Sequence, residues 1–64
     1  MKVKEFKAIL VRENKTQGDC AKYLGISENT MSAKLKRGVF GSDEITKLIS
    51  YLHIDNPTYI FFGM

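Results

Sequence analysis

Two stretches of the chain carry apolar residues at helical spacing. The stronger repeat, at i, i+3, i+4 and i+7, consists of Ile45, Leu48, Ile49 and Leu52. The other, between residue 3 and about residue 13, consists of Val3, Phe6, Ile9 and Leu10 together with Ala8 or Val11. This period predicts two amphipathic helices whose apolar sides face a shared core.

Capping residues predict where these helices and their neighbours begin and end. Asn14 is expected to end the first helix. Thr16 is expected to cap a second helix, with Asp19 as its capping-box partner three residues later. Ser42 is expected to cap the helix that contains the stronger repeat, and Asn56-Pro57 to begin a last short turn or helix.

The segment from Gln17 to Leu35 predicts two short helices joined by a tight turn. Ala21 is small enough to lie where the helices cross, and Gly25 readily adopts the left-handed backbone that ends a helix. Ser27 is expected to cap a third helix, which spans residues 28–37 and ends at Gly38. The positions predicted to point inward are Cys20, Leu24, Ile26, Met31 and Leu35.

The outward side of the third helix carries side chains that are short or able to form hydrogen bonds. Its residues, at steps of one, three and four, are Glu28, Asn29, Ser32, Ala33 and Lys36. A helix-turn-helix whose second helix presents such side chains is typical of proteins that place this helix in the major groove of DNA. The predicted fold is therefore all-α, a compact bundle of four to five helices containing a helix-turn-helix.

Length and charge are consistent with a small nucleic-acid-binding domain. The 64 residues are expected to form one domain, 1–64, and no apolar run is long enough to span a bilayer. The net charge is +3, and residues 1–40 hold nine of the ten Lys and Arg residues but only four of the seven acidic residues. The basic half is the half that carries the motif, which favours a polyanionic partner.

The chain resembles lambdoid phage repressors and small Cro proteins over its whole length, and the residues at matching motif positions are Gln17, Ala21, Gly25, Ile26, Ser27 and Met31. The resemblance implies a lambda repressor-like DNA-binding domain that binds double-stranded DNA as a homodimer. The operator would be an inverted repeat with half-sites about one helical turn apart, and the homodimer is expected to form either in free solution or only on DNA. It also implies regulation by occupying an operator and a cytoplasmic, nucleoid-associated location in a bacterial host.

Two positions depart from the family pattern. Met31 stands where a β-branched aliphatic residue is usual, and Glu28 stands where the family often has Gln. A glutamate cannot pair with adenine as glutamine does, although it can accept from cytosine N4. The other interpretation, which we favour, is a favourable charge at the helix N-terminus.

The residues expected at the DNA surface fall into two groups. Asn29 and Ser32 are the best candidates for base edges, while Ala33 offers only a methyl contact to thymine. Phosphate contacts are expected from Gln17, by resemblance, and from cations near the end of the third helix, which can equally pair with its C-terminus. The full predicted set is Gln17, Ser27, Glu28, Asn29, Thr30, Ser32, Ala33, Lys34, Lys36 and Arg37.

The aromatic tail leaves two interpretations open. Tyr51, Tyr59, Ile60, Phe61 and Phe62 would either close the core, which so small a chain favours, or form a dimer interface.

Catalysis and metal binding are not expected. Cys20 and His53 are the only residues of their types, so they cannot complete a structural zinc site and provide no convincing nucleophile–base pair. No cofactor is expected. The alternative function is a protein-interaction module, an antirepressor or adaptor, that keeps the fold without reading DNA.

Overall fold

Five α-helices and no strand make up the computed structural model, which describes all 64 residues. The helices are α1 (Val3–Arg12), α2 (Gln17–Leu24), α3 (Glu28–Arg37), α4 (Ser42–Leu52) and α5 (Pro57–Phe62). The all-α prediction is confirmed, and the short C-terminal segment is a true fifth helix. None of the five is long and apolar enough to cross a membrane.

The core consists of twelve buried residues, and all of them are apolar or cysteine. Phe6 of α1 lies at its centre, with ring centroids 6.4 Å from Phe40 and 6.2 Å from Phe61. Burying a side chain of this size contributes about 1.5–3 kcal/mol. Ile60 and Phe61 are buried, so this part of the tail closes the core as expected. Phe62 instead remains 61% exposed.

The apolar side of α1 is narrower than its sequence predicts. Phe6, Ile9 and Leu10 are buried, but Ala8 is exposed and Val11 is 80% exposed. Including Ala8 or Val11 in the buried side was therefore wrong. Both lie beyond the stripe that faces the other helices, because α1 contacts the bundle along one side only.

The start of α4 differs from the prediction. Ser42 is the first residue of the helix rather than its cap, and Gly41 is the N-cap. The Gly41 N–H donates to Glu44 Oε1 at 2.8 Å, so the backbone donor of the N-cap residue is satisfied by the carboxylate three residues later. The Ser42 carbonyl is also engaged, accepting from the Thr46 hydroxyl at 3.0 Å.

Long-range bonds from Lys2, which precedes α1, and from Arg12, at the end of α1, hold the C-terminal helices in place. Arg12 Nη2 donates to the carbonyls of Leu52 and His53, both at 2.9 Å, at the point where α4 ends. The Lys2 N–H donates to the Ile60 carbonyl of α5 at 2.8 Å. These bonds satisfy carbonyls that helix ends leave without an intrahelical partner.

A candidate nucleic-acid interface on α2 and α3

Local caps fix both ends of α2 and the start of α3. The Asp19 N–H donates to Thr16 Oγ1 at 3.0 Å, and the Thr16 N–H donates back to the Asp19 carboxylate at 2.9 Å. Gly25 ends α2 with φ of 74°. The Thr30 N–H then donates to Ser27 Oγ at 3.1 Å and so caps α3. Each of these features was predicted from the sequence and is confirmed.

The side of α3 opposite the core is fully exposed. Met31 and Leu35 are buried against the other helices, which fixes the rotation of α3 about its axis. The residues left exposed include the whole predicted outward set: Glu28, Asn29, Ser32, Ala33 and Lys36. A helix held in this way presents these side chains to solvent in a fixed orientation.

Gln17 leans from the first turn of α2 toward α3. Its Nε2 lies 3.4 Å from Ser32 Oγ, a long hydrogen bond that brings the two side chains together. These are one predicted phosphate contact and one predicted base contact. The structure therefore places them side by side, although they are fifteen positions apart in the chain.

The side chains of Ser27 and Thr30 form hydrogen bonds at the start of α3. Besides accepting from the Thr30 N–H, the Ser27 hydroxyl donates to Thr30 Oγ1 at 2.9 Å. Both hydroxyls thus contribute to the N-terminal cap of α3. Any contact they make to a further ligand has to use the remaining lone pairs of these oxygens.

Glu28 folds back against α2. A Cβ added to Gly18 would lie 2.9 Å from Glu28 Oε1. Any other residue at position 18 would therefore force the Glu28 carboxylate to move. Asp19 sits in the same first turn, and its pKa is lowered because its carboxylate accepts from the Thr16 backbone and hydroxyl. Two carboxylates therefore already surround the positive end of α2.

The cations near the end of α3 are not equivalent. Lys34 Nζ lies 3.2 Å from Glu44 Oε1, which ties α3 to α4. The Gly41 N–H bond, together with Lys34, holds the pKa of Glu44 below its ordinary value. Lys36 and Arg37 are exposed and make no ion pair, so they are the α3 cations free to meet an anion.

A groove of about 580 Å³ runs between α1 and this surface. Several residues of the predicted DNA surface line it, namely Gln17, Ser32, Ala33 and Lys36. The remaining lining includes Val3 and Lys7 of α1, which the sequence motif does not include. The placement of α1 across the groove from α3 was the missing information, since no local pattern shows which side of α1 adjoins the groove. We name this the polar groove.

A second groove, of about 260 Å³, lies next to the C-terminal end of α3. It starts at Gly38, immediately after α3, and all its other lining residues are hydrophobic: Val39, Phe40, Ile45, Phe61 and Phe62. Val39 and Phe62 are 60% and 61% exposed. We name this the apolar groove.

Three further titratable side chains, those of Glu13, Cys20 and His53, are engaged within the fold. His53 Nδ1 lies 2.8 Å from Glu13 Oε1, and this bond, with Arg12, lowers the pKa of Glu13. Burial raises the pKa of the Cys20 thiol to about 11, so the reactive thiolate is disfavoured. No group of three or more His, Cys, Asp or Glu side chains is arranged to hold a metal ion.

Comparison of the chain with family models, with curated proteins and with solved structures found no match. The resemblance to phage repressors is therefore carried only by the residues named above.

Proposed function

We propose that the protein is a sequence-specific transcriptional regulator that binds double-stranded DNA, of the phage repressor or Cro-like type. The observation that carries the proposal is the way in which α3 is held and exposed. Its ends are capped, its inner side is fixed by Met31 and Leu35, and its outer side exposes short hydrogen-bonding groups beside free cations. Such a helix fits the major groove, which admits one α-helix.

In this proposal some exposed side chains contact bases and others contact phosphates. Asn29 and Ser32 read base edges, with Ala33 against a thymine methyl. Gln17, Lys36 and Arg37 contact phosphates and set the position of α3 on the duplex. Lys34 contributes mainly to the fold, because Glu44 already pairs with it.

The regulator acts as a homodimer on an inverted repeat. A lone domain of this size contacts only a few base pairs, and a second copy related by a two-fold axis doubles the site. The apolar groove favours this arrangement because it adjoins the end of α3 and exposes apolar side chains. Regulation follows from blocking polymerase at the occupied operator, in the cytoplasm of a bacterial host.

The test is a binding selection from a randomised duplex library at near-physiological salt. An enriched inverted repeat with fixed spacing is the expected result, because two copies of α3 would read successive half-sites. A single enriched half-site would retain DNA reading and remove the dimer. No enrichment by folded protein would overturn the proposal.

A protein-interaction module is the second candidate, an antirepressor or adaptor that does not read DNA. Glu28 favours it, since its carboxylate lies where a phosphate would approach α2. The apolar groove favours it equally. Salt dependence separates the two functions, because DNA affinity that falls steeply with added salt requires phosphate contacts.

A further inference from the structure

The polar groove joins α1 to the surface proposed to bind DNA. Lys7 comes from α1 and Lys36 from α3, while Gln17 and Ser32 contribute an amide and a hydroxyl. Val3 adds an apolar surface to the same groove. Two cations, hydrogen-bonding groups and an apolar wall therefore share one open depression.

The two lysines of the groove have no competing partner. Elsewhere, Arg12 and Lys34 are ion-paired, while Lys2 and Lys15 lie over the rings of Tyr59 and Tyr51. Lys7 and Lys36 are exposed and form no ion pair with a carboxylate. They are also the only cations that line the polar groove.

We propose that the polar groove takes a sugar–phosphate segment of the DNA backbone and that Lys7 of α1 is a phosphate contact. This inference rests on the proposed function and extends it to a helix outside the α2–α3 motif. The anionic phosphate lies between Lys7 and Lys36, and the deoxyribose lies against Val3. Backbone contacts of this kind fix the orientation of a protein on the duplex without reading sequence.

Lys7→Ala tests the inference, with Lys47→Ala as the matched control. Lys47 is an exposed lysine of α4 that forms no ion pair and lines neither groove. Affinities of the wild type and both variants are measured on a mixed-sequence duplex between 50 and 200 mM salt. Thermal unfolding of each variant shows that the fold is retained.

The expected result is a weaker Lys7→Ala variant whose disadvantage shrinks as salt rises. One lost phosphate contact lowers the salt slope by about 0.9, so the wild-type advantage should fall about three- to fourfold across this range. Lys7→Arg should restore the wild-type slope. If Lys7→Ala matches Lys47→Ala, the inference is wrong while DNA binding stands. If the wild type shows no salt-dependent affinity, the proposed function fails and the inference fails with it.

Discussion

The two grooves beside α3 differ in what they offer to a partner. The polar groove combines lysine, amide and hydroxyl groups with a smaller apolar wall. The apolar groove has no charged residue in its lining, and Phe62 stands largely exposed at its edge. Water solvates the polar groove well. Covering the apolar groove, in contrast, removes apolar surface from water and is therefore favourable. The side of α3 that lines the polar groove is thus suited to an anion, and the region just after its C-terminal end to an apolar surface.

Under the proposed function, this difference would let a 64-residue chain combine DNA binding with dimerisation. In that proposal, contacts between α3 and a duplex would leave the region after Gly38 free, because the apolar groove begins where α3 ends. A second copy can then associate through that region while both copies keep their exposed polar sides available. Separate changes in the two grooves should therefore have separable effects.

Phe62→Glu should have the largest effect on binding to an inverted repeat. The side chain is mostly exposed, so the fold should tolerate the change, but a carboxylate in the apolar groove opposes association of two copies. Affinity for the inverted repeat should fall by about 10²-fold, the gain that a second linked site commonly provides. Affinity for an isolated half-site should stay unchanged, as measured by titration of both duplexes.

Val11→Glu provides the control for Phe62→Glu. It makes the same change of charge at an exposed apolar residue that lines neither groove. If both variants lose the same affinity, the effect comes from added negative charge and the apolar groove has no role in dimerisation.

Asn29→Ala should remove sequence preference rather than general affinity. We expect a cost of about 1–3 kcal/mol on the preferred half-site and little change on scrambled DNA, because the lost bonds are to one base. Arg37→Ala is the comparison, since a phosphate contact should weaken both duplexes alike. An equal loss on both duplexes for Asn29→Ala would contradict a base-reading role.

Glu28→Gln should strengthen DNA binding slightly and without regard to sequence. The substitution removes a carboxylate beside the first turn of α2, where it opposes an approaching phosphate. The gain should be roughly 0.2–1 kcal/mol, typical of one exposed charge interaction. Asp43→Asn, at an exposed carboxylate in the first turn of α4, should have no such effect. A loss confined to duplexes with one particular base pair would instead make Glu28 a base reader.

Local chemistry made the α2–α3 segment predictable. The bonds of Thr16 and Ser27 each reach a backbone group three residues away, so short-range sequence contains both partners. Gly25 is equally local, because its φ of 74° is one that a glycine adopts without steric cost.

Features that depend on two distant elements could not be predicted in the same way. Lys34 pairs with Glu44 only because α3 and α4 pack together, and Lys7 lines the polar groove only because α1 adjoins α3. The start of α4 was mispredicted for a subtler reason. Ser42 is a good cap by residue type, but the Glu44 carboxylate already bonds the N–H of Gly41.

Acid should weaken two helix starts, one next to each groove, and this is the smallest effect that we expect. Asp19 bonds the Thr16 N–H near the polar groove, and Glu44 bonds the Gly41 N–H near the apolar groove. These bonds lower both pKa values from the ordinary 3.8 and 4.5. A carboxyl group whose pKa is lower in the folded state stabilises the fold fully above its ordinary pKa, and that stabilisation is lost as pH falls through the lowered value. The amide proton shifts of Thr16 and Gly41, followed by NMR from pH 7 downward, should therefore change only in the acid range.

Asp19→Asn should abolish the change at Thr16 and leave that at Gly41 intact. If it abolishes both, the two caps are lost together by global unfolding, and the grooves do not have independently stabilised borders.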